Sequence, residues 1–366
     1  MMDRREFVLS AAAAAAVGGK VFAEPAMPRD FVWGVLLHFG ANMWGDGTIN
    51  WADAPDSPEA EKDWDAKKPA GLSRAPIVRN YLRFDEGVWR EATRRMQAGG
   101  LNMVLIDVGE SLVYPSHPEL AVKGSWSPER YRKELDRLRA MGLEPIPKLN
   151  FSAAHDAWLK EYHRRLCTPE YYRVCADVIR DVAEVFGRPR WFHIGFDEEM
   201  AEAMPDQYLA AYRQGDLWWH DFLYIVKEVE KHGSRAWIWS DYIWSHREEF
   251  LRRMPKSVLQ SNWYYREKFG PEMLPWNEEA EKRGGWNGRL MGVSAFLELE
   301  KAGFDQVPCG SNFYCDENVE PLFRFCKEHI SPARFKGFMT APWMQSVPKD
   351  AEKLYRGIDQ IVRVRA

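Results

Sequence analysis

Five cysteines in 366 residues, at positions 167, 175, 309, 315 and 326, are too few and too scattered for a disulfide framework. None forms a Cys-x-x-Cys pair or stands at zinc spacing from a histidine, so the sequence implies no metal and no cofactor. Charge of one sign is equally scarce. The 50 Lys and Arg against 54 Asp and Glu leave a net charge of −4 and no basic stripe for nucleic acid. No apolar run is long enough for a stable membrane anchor. No Pro/Gly/Ser-rich linker divides the chain, and no glycine-rich phosphate loop follows its first apolar segment. What remains is an uncharged small molecule or polymer as the partner.

The N-terminus carries an address. Arg4-Arg5, an alanine-rich segment to Ala16 and small residues up to Ala23 resemble an export signal of the twin-arginine type, over residues 1–23. Cleavage after Ala23 predicts a periplasmic or secreted protein, with the twin-arginine export machinery as a partner. Chains exported this way fold first, which leaves the thiols reduced through folding.

From Pro28 onward one rhythm repeats, an apolar segment followed by a polar loop and an amphipathic helix. Eight segments read as strands: 31–39, 101–108, 144–151, 190–196, 236–240, 257–263, 304–311 and 335–341. Helical patterns fall between them, near 86–98, 128–141, 169–186, 216–231, 246–254, 278–302, 319–329 and 351–364. Glycines such as Gly142, Gly187 and Gly303 stand where these helices should stop. Eight strand-helix units predict an α/β fold, a single (β/α)8 TIM barrel over 26–366, ahead of a doubly wound sheet. A long irregular insertion at 44–83, with Trp51 and Trp64, is expected to wall a pocket.

Barrels place chemistry at the C-terminal ends of their strands. Those ends carry His38, Asn42, Asp107, Glu110, Asn150, His155, Asp197, Glu198, Asp241, Trp263, Tyr314 and Trp343. The stretch Arg190-Trp191-Phe192-His193-Ile194-Gly195-Phe196-Asp197-Glu198-Glu199 is the most telling. Alternation sends Phe192, Ile194 and Phe196 to one face, and His193, Gly195 and Asp197 to the other. Two carboxylates beside stacking aromatics suit cleavage of a glycosidic bond, one as proton donor and one as a negative partner to an oxocarbenium-like transition state. Glu198 is the best proton donor among them. The 17 tryptophans supply flat faces for sugar rings as well as core volume.

His193-Ile194-Gly195-Phe196-Asp197-Glu198 resembles the His-x-Gly-Gly-Asp-Glu motif of glycoside hydrolase family 20, the β-N-acetylhexosaminidases, and falls on the expected fourth strand. The resemblance implies a retaining hydrolase of terminal β-linked N-acetylhexosamine, acting on an oligosaccharide or glycan. It makes Glu198 the general acid/base and Asp197 the partner of the substrate's own 2-acetamido group, which attacks the anomeric carbon. His193 becomes a pocket-organising residue. Trp239, Trp263, Trp343 and Tyr314 become candidates for the acetamido pocket, with His38, Asn150, His155 and Asp241 as further substrate-binding candidates. Phe196 stands where the motif has its second glycine, and the family's first-strand arginine has no counterpart beside His38.

Two other readings stay open at this point. One is a glycosidase for a non-acetylated sugar that uses a second carboxylate, Asp107, Glu110 or Asp241. The other is an inactive sugar-binding barrel, since fold does not fix function.

Overall fold

A computed structural model describes residues 30–46, 50–67, 77–203, 212–269, 273–284 and 290–366. The segment 1–23 read as an export signal lies outside the described residues, as does the side chain of Trp64. Each segment expected as a strand coincides with one, β5 starting one residue earlier than expected: β1 (Val32–His38), β2 (Met103–Asp107), β3 (Glu144–Lys148), β4 (Trp191–His193), β5 (Arg235–Trp239), β6 (Leu259–Ser261), β7 (Cys309–Gly310) and β8 (Gly337–Thr340). All pairings are parallel, in the order β6-β5-β4-β3-β2-β1-β8-β7. Single bridges from Gln260 to Gln306 and from Trp263 to Cys309 join the two ends into a barrel. Every residue of β1 is buried, because one face meets the helices while the other fills the barrel.

The helices are α1 (Pro58–Lys67), α2 (Glu86–Ala98), α3 (Pro128–Ala140), α4 (Pro169–Val185), α5 (Gly215–Lys231), α6 (Arg247–Arg253), α7 (Glu278–Arg283), α8 (Gly292–Lys301), α9 (Val319–His329) and α10 (Ala351–Arg365). Their starts are chemically marked. Asp85, Ser127 and Thr168 each accept the backbone N–H three residues on, and Pro128 and Pro169 fill the first helical positions, where no donor is needed. The single helix expected over 278–302 is two, α7 and α8, with 285–289 between them outside the described residues.

Tryptophan serves the core more than the surface: Trp89, Trp158, Trp218, Trp219, Trp237 and Trp239 are fully buried. The barrel centre also holds charge. Lys148 Nζ lies 2.6 Å from Asp107 Oδ2, with His38 Nδ1 at 3.4 Å. Burial alone would raise Asp107, but the Lys148 charge and the His38 contact bring it down to about 2.

The described part of the insertion is bolted to the rim. Arg83 donates to Ala41 O and Asn42 Oδ1 at 2.9 and 2.8 Å. Asp46 takes His163 Nε2 at 3.0 Å and Arg164 Nη2 at 2.6 Å. Among the described residues, no helix is long and apolar enough to cross a membrane.

Candidate active site

The site exists because β4 stops early. Regular pairing ends at His193, and the chain then passes through left-handed backbone at Gly195 (φ 73°), Phe196 (φ 67°) and Glu198 (φ 53°). Gly195 has to be glycine: a Cβ there would overlap the Asn150 side chain. Phe196 adopts the same region against its steric preference, and its ring packs edge-on to Trp218 and Phe222 of α5, at 5.5 and 5.4 Å. His193 goes the other way, into the barrel, against Trp237 and Trp239 at 5.1 and 4.6 Å.

The bend brings Asp197 and Glu198 out side by side on the wall of a cavity of about 500 Å³. Asn150 Nδ2 donates to Asp197 Oδ1 at 2.8 Å, and the Ser152 hydroxyl donates to the Asp197 carbonyl at 2.6 Å. His155 Nε2 stands 3.4 Å from both Asp197 Oδ2 and Glu198 Oε2. Burial opposes charge on His155, yet the two carboxylates outweigh it and raise its pKa. Asp241 accepts the Glu198 backbone N–H at 2.9 Å and the Trp263 indole N–H at 3.3 Å. Burial, and after it the Asp197 charge, push Asp241 up to about 7.

His155 and the two acids form one cluster. Donor atoms of His155, Asp197 and Glu198 lie within 4.8 Å of one another, the one such set with metal-ligand spacing among the described residues. The two acids cap no α-helix among the described residues: the turn Ala201–Ala203 follows them, and α5 begins at Gly215.

The remaining wall is mostly aromatic: Trp44, Trp263, Tyr265, Phe313, Tyr314 and Trp343, with Gln345, Lys349 and Asp350 as polar members. Trp263 and Tyr265 stack at 4.8 Å and 23°. Tyr265 is buried, and Trp343, also on this wall, is in a left-handed conformation (φ 56°).

Of the residues singled out from the sequence, Asp197, Glu198, His155, Trp263, Tyr314 and Trp343 line this cavity. The others lie behind its wall. Asn150 and Asp241 reach the acid pair through the hydrogen bonds above. His38 and Trp239 pack behind Trp343, at 5.9 and 5.8 Å. His193 Nδ1 accepts the Gly195 N–H at 3.1 Å, which steadies the bend, and burial together with the Lys148 charge keeps its pKa well below the usual value. Asp107 is engaged by Lys148, and Glu110 is buried on the backbone N–H groups of Ala41 and Asn42, so neither faces the cavity. Sequence reasoning passed over Tyr265, although the two-residue period from Trp263 puts it on the same face.

No protein-family model matches the sequence, and no curated protein matches it. Solved structures do match. The architecture is a (β/α)8 barrel of the kind seen in glycoside hydrolases of family 20. The particular neighbours are β-N-acetylhexosaminidases. One from Bacteroides fragilis superposes with a TM-score of 0.55 at 12% identity, over 92% of this chain and 66% of that one. The family 20 enzyme of Streptomyces coelicolor A3(2) gives 0.51 at 14% identity, over 75% and 60%. A Streptomyces plicatus β-hexosaminidase variant, solved with its product GlcNAc, gives 0.53 at 12%, over 90% and 62%. The chain thus spans roughly two thirds of the length of these proteins or somewhat less.

Proposed function

We propose that this chain is an exported glycoside hydrolase that removes terminal β-linked N-acetylhexosamine with retention, assisted by the substrate's own acetamido group. The observation that carries the reading is the placement of Asp197 and Glu198 together on the wall of an aromatic cavity, with His155 in reach of both. The solved Streptomyces plicatus neighbour holds GlcNAc, which supports a sugar of that class here.

In this reading Glu198 protonates the departing glycosidic oxygen. Asp197, held on Oδ1 by Asn150, offers Oδ2, which also faces His155, to the acetamido N–H and steadies positive charge as the acetamido oxygen attacks the anomeric carbon. Trp263, Tyr265 and Trp343 hold the sugar face and its acetamido methyl. Glu198, now ionised, then takes a proton from the water that opens the cyclic intermediate.

The test compares paired β-glycosides with and without a 2-acetamido group, on the chain beginning at Glu24 and on Glu198→Gln. The expected result is turnover of acetamido sugars alone, cut by about 10²–10⁴-fold in the variant when the leaving group needs a proton. Turnover of plain sugars would transfer the reaction to an enzymic nucleophile. Binding without turnover in either protein would make the barrel a sugar-binding one.

A further inference from the structure

We propose that Glu199 and Arg213 are positioning residues, a buried ion pair that holds the bend carrying Asp197 and Glu198 in register with the loop after β3. The inference rests on the reading of Glu198 as proton donor.

Non-glycine residues in left-handed backbone persist only where their surroundings over-determine them, and the acid pair is flanked by Phe196 and includes Glu198, both of that kind. The pair supplies that determination. Glu199 Oε1 accepts both the backbone N–H and the Nε–H of Arg213 at 2.7 Å, and Oε2 accepts from Nη2 at 2.7 Å. Arg213 Nη1 donates to Asp221 Oδ2 of α5 at 3.1 Å. Nη2 donates also to the Phe151 carbonyl, in the loop after β3, at 2.7 Å. The guanidinium lies 5.0 Å from the Phe196 ring. Both side chains are sealed, Arg213 at 2% and Glu199 at 1% exposure.

One guanidinium therefore ties three elements together: α5, the bend after β4, and the loop that presents Asn150 and His155. Those two residues make the contacts that aim the acid pair. Glu199 itself does not line the cavity, so it acts only through its neighbour. A buried ion pair is a weak source of net stability, because desolvation offsets most of its attraction. Its contribution here is geometric: a forked, planar donor fixes direction as well as distance.

The experiment measures kcat and KM for Glu199→Gln and Arg213→Lys on two β-N-acetylglucosaminides, one with an alkyl leaving group and one with dinitrophenolate, which departs without a proton. Misplacing the donor should cost Glu199→Gln about 100-fold in kcat on the alkyl glycoside and less than about 3-fold on the dinitrophenyl one, with KM little changed. Arg213→Lys, which keeps the charge but loses the fork, should fall between wild type and Glu199→Gln. Equal losses on both glycosides, following the folded fraction seen by circular dichroism, overturn the proposal, as does an unchanged kcat. If Glu199→Gln does not fold, Arg213→Lys carries the same comparison, and failure of both to fold makes the pair structural and overturns it. A wild-type chain that cleaves neither glycoside overturns the hydrolase reading and this inference with it, whereas equal losses beside normal wild-type turnover overturn this inference alone.

Discussion

Asp241 concentrates the electrostatics of the site in one residue. It is buried beside Asp197, and its oxygens are occupied by the Glu198 N–H and the Trp263 indole. With its pKa moved from 3.8 to about 7, the folded chain keeps a proton between those values that the unfolded chain has released. That contribution to stability is complete below pH 3.8 and is lost as pH rises through about 7. Asp241→Asn keeps an acceptor for the Glu198 N–H and removes the titration. Its stability relative to wild type should rise by about 1.4 kcal/mol per pH unit across that window. Urea unfolding from pH 4 to 8 measures this, and parallel profiles for the two proteins would refute it. At this scale the sequence was most legible where chemistry and motif coincide, in Asp197 and Glu198. Asn150 and Asp241 were legible as polar strand-end residues, but the structure places them behind the cavity wall, hydrogen-bonded to Asp197 and to the Glu198 N–H, and a linear pattern does not distinguish that from a place on the wall. Glu199 was hidden for the opposite reason: a third acid in a row reads as surface charge until Arg213, 14 residues on, is seen to bury it.

The elements repeat the lesson with a different physics. Strand positions were readable because a barrel strand is apolar on both faces, and polar loops interrupt that pattern sharply. Strand lengths were not, since β4 and β7 pair over only three and two residues before loop hydrogen bonds take over. Of the described residues of the insertion after β1, Trp44, its first, lines the cavity. What fastens the insertion was not readable, because the fastening joins residues 41 to 118 positions apart. His163 sits with Nε2 3.0 Å from Asp46 and Nδ1 3.5 Å from Asp156. Burial disfavours its charge, but the carboxylates of Asp156 and Asp46 beside it raise its pKa to about 9. The imidazolium therefore stabilises the fold fully below pH 6.5, and this is lost as pH rises through about 9. His163→Gln should cost on the order of 3 kcal/mol at pH 6, with a deficit that narrows steadily toward pH 9.5. Thermal melts of both proteins at half-unit pH steps supply the comparison, and a pH-independent deficit would mean that the ring acts by packing alone.

For the whole molecule, the barrel rhythm specified the architecture without any family-level sequence match, because eight strand-helix units leave few other ways to bury their apolar faces. The same chain carries a question of place that its thiols help to answer. All five cysteines are free in the fold, and Cys175, Cys309 and Cys326 are buried. Burial raises the pKa of each of these three thiols, which suppresses the reactive thiolate. A chain that folded in an oxidising compartment would expose all five to oxidation before burial protected them. A chain folded in the cytoplasm and exported afterwards would arrive with its buried thiols already sealed. The export proposed behind Arg4-Arg5 is of the second kind, and on that proposal the exported protein should hold the three buried thiols unmodified until it is denatured, and then release them to alkylation. Replacing Arg4 and Arg5 together by lysine should leave folded, active protein in the cytoplasmic fraction. Periplasmic accumulation of that variant, or disulfides among the three buried cysteines of the exported chain, would instead assign export to a route that carries the chain unfolded.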